Sequence, residues 1–230
     1  YVSLVKPRLS SLVIITAACG MLLAQGSRLG GVGSEETLGM WASILAILGT
    51  TLIVGAANAI NCVLERDSDR YMERTKNRPL VQGRIRPAAA MAFGMLLTVV
   101  SLSLLVKFTN PLTAWLGFAG FAIYVGIYTP LKRRSMTALF AGAIPGAIPP
   151  MMGWTAVTGH IDRGAWILFG ILFFWQLPHF IAISLFRKAE YENAGLKTVP
   201  GTLGDDAAGQ HMLVYSALLV GVSLLPYSLG

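Results

Sequence analysis

The sequence has few charged residues and very few cysteines. Only 13% of its 230 residues are charged, whereas soluble domains carry about 25%, so the composition excludes an ordinary soluble domain. The two cysteines, Cys19 and Cys62, lie in apolar surroundings without a CxxC spacing or a neighbouring histidine. They therefore indicate neither a disulfide framework nor a zinc site. Hydrophobic residues are abundant instead, at 54%, which is typical of membrane proteins.

The first residues of the given sequence do not have the pattern of a targeting signal. Lys6-Pro7-Arg8 leads at once into an apolar segment, without a small-residue cleavage site or an arginine-rich and serine-rich presequence. The sequence ends at Gly230 inside an apolar run. We therefore expect a single transmembrane domain over residues 1–230, shortened at its carboxyl end.

Seven apolar segments are long enough to cross a bilayer. A spanning helix needs about 20 mostly apolar residues because no backbone polar group can stay unpaired in lipid. The sequence therefore predicts an all-α bundle of seven transmembrane helices around a central cavity. The segments are Leu9 to Gln25, Leu38 to Leu64, Ala88 to Phe108, Leu112 to Tyr128, Thr137 to Val157, Gly164 to Phe186 and His211 to Leu229.

The fifth segment contains three prolines, Pro145, Pro149 and Pro150, together with several glycines. Proline removes a backbone donor, so we expect this helix to be kinked or broken. Irregular backbone at membrane depth is tolerated only against protein or a cavity. The segment is therefore predicted to form a wall of an internal chamber.

The charges are concentrated on one side of the predicted bundle. The amino-terminal end and three alternate connections hold 15 of the 18 lysines and arginines and 8 of the 11 acids. The positive-inside rule places that face in the cytoplasm, or in the matrix of a mitochondrion, and a bacterial inner membrane is the favoured location. It also accounts for the net charge of +7 without a nucleic-acid partner.

The densest group of polar residues follows the second segment. Asn61, Glu65 and Asp69 recur every four residues, so they drift by only about 40° per step and share one helical face. Magnesium takes one or two carboxylates plus waters and phosphate oxygens, and polar groups at the bilayer boundary are usually functional. If the helix continues, Asp67 points away from this face and pairs with Arg66, Arg70 or Arg74. The alternative is an ordinary charged helix end, whose acids and arginines pair with one another at the interface.

Basic residues follow these acids. Arg74 and Arg78 precede Pro79, and guanidinium groups bind phosphate oxygens through paired hydrogen bonds. We interpret them as ligands for a diphosphate. For Arg84 and Arg86 an anchor on the cytoplasmic face is an equally good explanation.

Two later clusters have both a functional and a structural interpretation. The first runs from Tyr124 and Tyr128 to Lys132 and two further arginines, and an interfacial tyrosine belt with a basic stop is the alternative. The second combines Trp175, Gln176 and His179. A single intramembrane histidine is more often a packing residue than a ligand, although these neighbours are consistent with a polar pocket.

Taken together, these motifs resemble the UbiA superfamily of intramembrane prenyltransferases, and within it the branch that farnesylates heme. The superfamily pattern is an asparagine followed by acids at four-residue spacing and then Arg-Thr-x-x-Arg-Pro. The heme branch is similar in its Lys-Pro-Arg opening and in the segments at residues 66–80, 128–133, 146–154 and 175–180. The similarity extends over nearly the entire chain in the same order.

This resemblance implies a fold of nine helices around a cavity, and an activity. The activity is transfer of farnesyl from farnesyl diphosphate to a vinyl group of heme b, giving heme O. Magnesium is the implied cofactor, and heme b is a substrate rather than a cofactor. Heme A synthase, terminal oxidase assembly proteins and a second copy of the chain are further partners consistent with it.

The resemblance also implies roles for individual residues. Magnesium and its diphosphate are assigned to Asn61, Glu65 and Asp69, and Tyr128 is expected to stabilise the developing cation. Lys132 is the remaining expected catalytic residue and is expected to hold the diphosphate together with Arg74 and Arg78. Glu190 is expected to complete a second metal position. The expected substrate-binding residues are Arg66, Asp67, Arg70, Arg74, Arg78, His179, Arg187, Lys188 and Glu190.

Two positions depart from the family pattern, and three other functions compete. Glu65 stands where aspartate is usual, and Ala189-Glu190-Tyr191 replaces Asp-Asp-Tyr, so the second acidic motif has one acid fewer.

One rival function is that of a UbiA-type enzyme acting on a quinone or chlorophyll precursor. The others are a transporter of anionic substrates, which should show internal repeats, and a heme-binding assembly factor without catalysis.

Overall fold

The structure, a computed structural model, describes residues 1–26, 38–73 and 75–228, and these residues form helices without any strand. Seven long helices follow one another: α1 (Pro7–Gly26), α2 (Met40–Leu64), α3 (Pro87–Phe108), α4 (Pro111–Ala122), α5 (Ala138–Thr158), α6 (Arg163–Phe186) and α7 (Asp205–Ser228). Helix α4 continues through a π-helical segment, Ile123–Tyr128, into Thr129–Leu131. Short helices occupy Val2–Val5, Arg66–Asp69, Lys188–Asn193 and Val199–Leu203.

All seven predicted segments coincide with these helices, and the all-α prediction is confirmed. Five helices in the described part of the chain are long and apolar enough to cross a membrane: Met40–Leu64, Pro87–Phe108, Pro111–Leu131, Arg163–Phe186 and Asp205–Tyr227. The apolar part of α1, Ser10–Gly26, is shorter. Helix α5 lies outside this group of five.

Local sequence explains where several helices begin. Pro87 and Pro111 stand at first helical positions, where the missing N–H costs no hydrogen bond. Asn110 caps α4 by accepting from the N–H of Thr113 at 2.9 Å, and Asp162 caps α6 by accepting from that of Ala165 at 3.1 Å. These caps stabilise the ends away from the basic face.

Helix α5 was predicted to be kinked or broken, and it runs through its three prolines without a break. Small residues bring it close to α1: a Cβ on Gly153 would overlap the backbone of Ala17, and one on Gly20 would overlap that of Pro150. Packing against a neighbouring helix compensates for the donors that proline removes. The other prediction for α5 is confirmed, because Pro145, Pro149 and neighbouring residues line an internal cavity.

The other helices enclose this cavity from both sides. Helix α2 packs on α3, while α6 packs on both α5 and α7. Few residues of the apolar span of α7 are buried, as expected for a helix that faces lipid. The start of α1 and the carboxyl ends of α2 and α4 lie at the same end of the cavity, because Lys6 contacts Asn61 and Lys132 contacts Glu65.

Candidate active site

A cavity of about 1000 Å³ opens among the helices. Its polar end is formed by residues that immediately follow α2 and α4 and precede α1, including Glu65, Asp69, Lys132 and Lys6. The walls further in are apolar and include Ile53, Phe121, Ile148, Met152 and Leu172. The arrangement suits a ligand with a charged head and a hydrocarbon body.

Glu65 is the centre of one half of the polar end. Its carboxylate forms an ion pair with Lys132 and accepts a 2.6 Å hydrogen bond from the side-chain amide of Asn61. The same amide donates to the hydroxyl of Thr129 at 3.1 Å. Asn61 is fully buried, and Glu65 is only 6% exposed, so this network is held away from water.

Asp69 forms the other half. Helix α2 ends at Leu64, but the N–H of Asp69 still donates to the carbonyl of Glu65 at 2.8 Å, so the two residues keep a helical spacing. The carboxylate of Asp69 pairs with Arg78 at 2.5 Å, and its backbone carbonyl accepts a hydrogen bond from Thr75. The segment that follows therefore folds back and brings Arg78 to the acids.

The two carboxyl groups differ in how easily they ionise. Burial raises the pKa of Asp69 above its usual value, although the charge of Arg78 opposes this effect. Burial acts in the same direction on Glu65, but its pKa is lowered because the charges of Lys132 and Lys6 and two hydrogen bonds outweigh desolvation. Surrounding cations thus hold Glu65 in its charged form more firmly than Asp69.

Lys6 is a site residue for which sequence reasoning predicted no role beyond its place in the Lys-Pro-Arg motif. Its backbone is left-handed, with φ of 50°, and turns the chain from Val2–Val5 into α1. Its side chain lines the cavity and donates to Oδ1 of Asn61 at 3.1 Å. Burial lowers its pKa.

Tyr128 stands beside the ion pairs. Its ring stacks on Tyr124 with centroids 5.3 Å apart, and the ammonium of Lys132 lies 5.7 Å from its centroid. A Cβ on Gly142 would lie 2.7 Å from the ring, so the glycine makes room for it. Both tyrosines line the cavity, where an aromatic face can stabilise a cation.

The cluster on α6 reaches the same cavity. Trp175 and His179 stack with centroids 4.9 Å apart, and both line the cavity with Gln176. Arg187 also lines it and pairs with Glu190 at 3.2 Å. Glu190 itself is not part of the wall.

Other predicted residues lie elsewhere. Asp67 is exposed and pairs with Arg70 at 3.8 Å, as predicted for a residue on the opposite face from Asp69. Lys188 is paired with Asp205 at the surface. The side chains that are absent from the cavity wall are those of Arg66, Asp67, Arg70, Lys188 and Glu190. Arg74 lies outside the described residues.

The residues at the polar end of the cavity include oxygen donors of the kind that magnesium prefers. Among the described residues, no group of three histidine, cysteine, aspartate or glutamate side chains lies close enough to hold a metal alone. Glu65 and Asp69 nevertheless give two buried carboxylates on one cavity wall. Magnesium requires no more than one or two when substrate oxygens and water complete its shell, so the residues fit a metal that arrives with a diphosphate.

The sequence and the fold are both similar to those of known proteins. The model of the UbiA prenyltransferase family matches residues 13–230. A protein of Myxococcus xanthus named protoheme IX farnesyltransferase is 52% identical over 99% of this chain and 74% of its own length. One of the same name from Anaeromyxobacter dehalogenans is 47% identical over 100% and 74%. These matches confirm the resemblance inferred from the motifs.

A solved structure confirms the fold independently. A UbiA homolog from Archaeoglobus fulgidus, determined bound to GPP and Mg2+, superposes with a TM-score of 0.78. Its sequence is 18% identical, and the superposition covers 99% of this chain and 77% of that one.

Proposed function

Because the chain belongs to the UbiA prenyltransferase family, we propose that it transfers a farnesyl group from farnesyl diphosphate to a vinyl group of heme b, giving heme O. One observation carries the proposal: two buried carboxylates, each paired with a cation, stand at the polar end of an apolar cavity. The names of relatives that are 52% and 47% identical support heme b as the acceptor.

The polar end is built to stabilise a departing diphosphate. When the bond between the allylic carbon and oxygen breaks, the diphosphate gains negative charge, and groups that bind this charge lower the barrier. Arg78 and Lys132 line the cavity and are largely buried, so their attraction to phosphate oxygens is weakly screened. Lys6 adds a third cation on the same wall.

Magnesium, when bound, would supply further positive charge to the diphosphate. Glu65 and Asp69 are the residues that would hold it, with Asn61 orienting Glu65 through the 2.6 Å hydrogen bond. Both carboxylates are already positioned, Glu65 by Lys132 and Asp69 by Arg78. Burial raises the pKa of Asp69, and the charge of a bound cation would favour its ionised form.

The apolar walls protect the reaction and receive the substrates. A cavity of about 1000 Å³ lined by aliphatic and aromatic side chains accommodates an isoprenoid chain and keeps water from an allylic cation. Tyr128 presents its ring near the polar end, where it stabilises that cation. The Trp175–His179 stack on α6 offers a flat surface for the acceptor, with Arg187 placed to meet a carboxylate.

The active face is assigned to the cytoplasm. Several long apolar helices and the family make this an integral membrane protein, and the basic residues gather at the end that contains the cavity's polar groups. The positive-inside rule then favours a bacterial inner membrane, with a mitochondrial inner membrane as the second location. Association with heme A synthase, with oxidase assembly proteins or with a second copy stays a prediction.

The proposal is tested with purified protein in detergent, farnesyl diphosphate and magnesium. Heme b is added to one sample and an aromatic quinone precursor to another. The products are identified by mass spectrometry, and the released diphosphate is quantified in each sample. We expect farnesylated, hydrated heme and stoichiometric diphosphate. Prenylation of the quinone precursor alone would establish a different acceptor. Heme binding without diphosphate release would identify a carrier rather than an enzyme.

A further inference from the structure

Asn58 places a polar amide in a part of the cavity that is otherwise apolar. It lies on α2, is 5% exposed and lines the cavity beside Val54 and Ala57. Within the described part of the chain, its side chain has no hydrogen-bond partner. The polar atoms of this amide are not enclosed by protein, so a molecule inside the cavity can complete their hydrogen bonding.

The position of Asn58 along α2 places its amide beside the reacting end of the prenyl chain. It precedes Glu65 by seven residues, which corresponds to about 10 Å along a helix. A diphosphate held by Arg78 and Lys132 directs its hydrocarbon chain toward the apolar walls. The first carbons of that chain then lie between the charged end and Asn58.

The proposed reaction needs one water molecule at this depth. A bond forms between the allylic carbon and the terminal vinyl carbon of the acceptor, and the diphosphate leaves with the electron pair of the broken carbon–oxygen bond. A cation remains on the vinyl carbon next to the porphyrin ring. The oxygen of a water adds to this cation, and the proton released from the water passes to the departed diphosphate.

We infer that Asn58 holds this water, and the inference rests on the proposed function. The amide oxygen of Asn58 accepts a hydrogen bond from the water, which directs a lone pair of the water oxygen at the cation. The amide itself takes no proton. Ordered waters in cavities need at least two polar partners. The phenolic hydroxyl of Tyr124 is the candidate for the second partner, because Tyr124 lines the same cavity and its segment packs against α2.

The test is the identity of the product made by Asn58→Leu. This substitution keeps similar volume and removes both polar atoms. Without a held water, the cation loses a proton instead, and the product is an alkene that is lighter by one water. We expect diphosphate release to continue while the ratio of hydrated to dehydrated heme product falls about tenfold, as for the loss of one hydrogen bond in a transition state.

Thr50→Val is the matched control. Thr50 is buried on the same helix and donates to the carbonyl of Ala46 at 2.9 Å, but it does not line the cavity. Its product ratio should equal that of the unmodified chain. If Asn58→Leu lacks the melting transition of the unmodified chain, Asn58→Ala, between Ala57 and Ala59, is measured in the same way.

The outcomes separate this inference from the proposed function. An unchanged product ratio in the Asn58 variant, or equal loss of diphosphate release and of both heme products in a folded variant, overturns the water-holding role alone. If the unmodified chain makes no farnesylated heme, the proposed function fails and the role of Asn58 fails with it.

Discussion

The ammonium group of Lys6 donates a hydrogen bond to Oδ1 of Asn61 at 3.1 Å, although the two residues are 55 positions apart. This contact joins the segment before α1 to the last turn of α2. The amide nitrogen of Asn61 is left to donate to Glu65 and Thr129. The amino-terminal residues are therefore part of the charged network.

The first prediction concerns Lys6. Lys6→Met removes one of the cations on the cavity wall and one partner of Asn61, so farnesyl diphosphate should bind less well. We expect its KM to rise about tenfold, in line with loss of one charged hydrogen bond. Steady-state kinetics with saturating acceptor measure it. Arg84→Met, at an exposed position on the same face, should leave KM unchanged, and an equal effect of both variants would refute a local role.

The second prediction concerns the space beside Tyr128. Gly142→Ala places a methyl group 2.7 Å from the ring, so the ring must move away from Lys132 and Tyr124. We expect kcat to fall about tenfold while the protein stays folded. The control is Gly209→Ala, since a Cβ at that position meets nothing within 4 Å. Full activity of Gly142→Ala would show that the ring's position is not important.

The third prediction concerns stability. Lys132→Met leaves the carboxylate of Glu65 buried without its ion-pair partner, which costs about 3–5 kcal/mol. The double variant Glu65→Gln with Lys132→Met should regain part of this loss because no lone charge remains. Unfolding in detergent measures both. Lys76→Met breaks an exposed pair with Glu73 and should cost less than about 1 kcal/mol. A similar cost for Lys76→Met and Lys132→Met would contradict the burial argument.

Much of the fold could be predicted from hydropathy alone. Long apolar runs define the helices because lipid leaves the backbone no other partner. The break expected from the three prolines of α5 does not occur, because α1 packs closely against Gly153 and supports the helix. No local sequence pattern reveals that contact. Helix spacing also predicted the shared face of Asn61, Glu65 and Asp69.

The site was predicted less completely, since it depends on contacts between distant segments. Lys132 reaches Glu65, and Arg78 reaches Asp69, but sequence spacing could not show which cation meets which acid. It also grouped exposed Asp67, Arg70 and Lys188 with the buried residues. The Lys-Pro-Arg motif pointed to Lys6, whereas no sequence pattern pointed to Asn58. A single asparagine within an apolar run does not indicate that the residue lines a cavity.

The fourth prediction tests the central claim that the buried carboxylates bind the diphosphate through a divalent ion. Asp69→Asn keeps the shape of the side chain and removes the charge that pairs with Arg78. Glu73→Gln is its matched control in the same segment, where Glu73 is exposed and paired with Lys76.

The decisive measurement is diphosphate release and heme O formation by these two variants over a range of magnesium concentrations. Asp69→Asn should lose both activities by about a hundredfold or more and recover in part at high magnesium, while Glu73→Gln behaves like the unmodified chain. Normal activity of Asp69→Asn at ordinary magnesium concentrations would contradict the account.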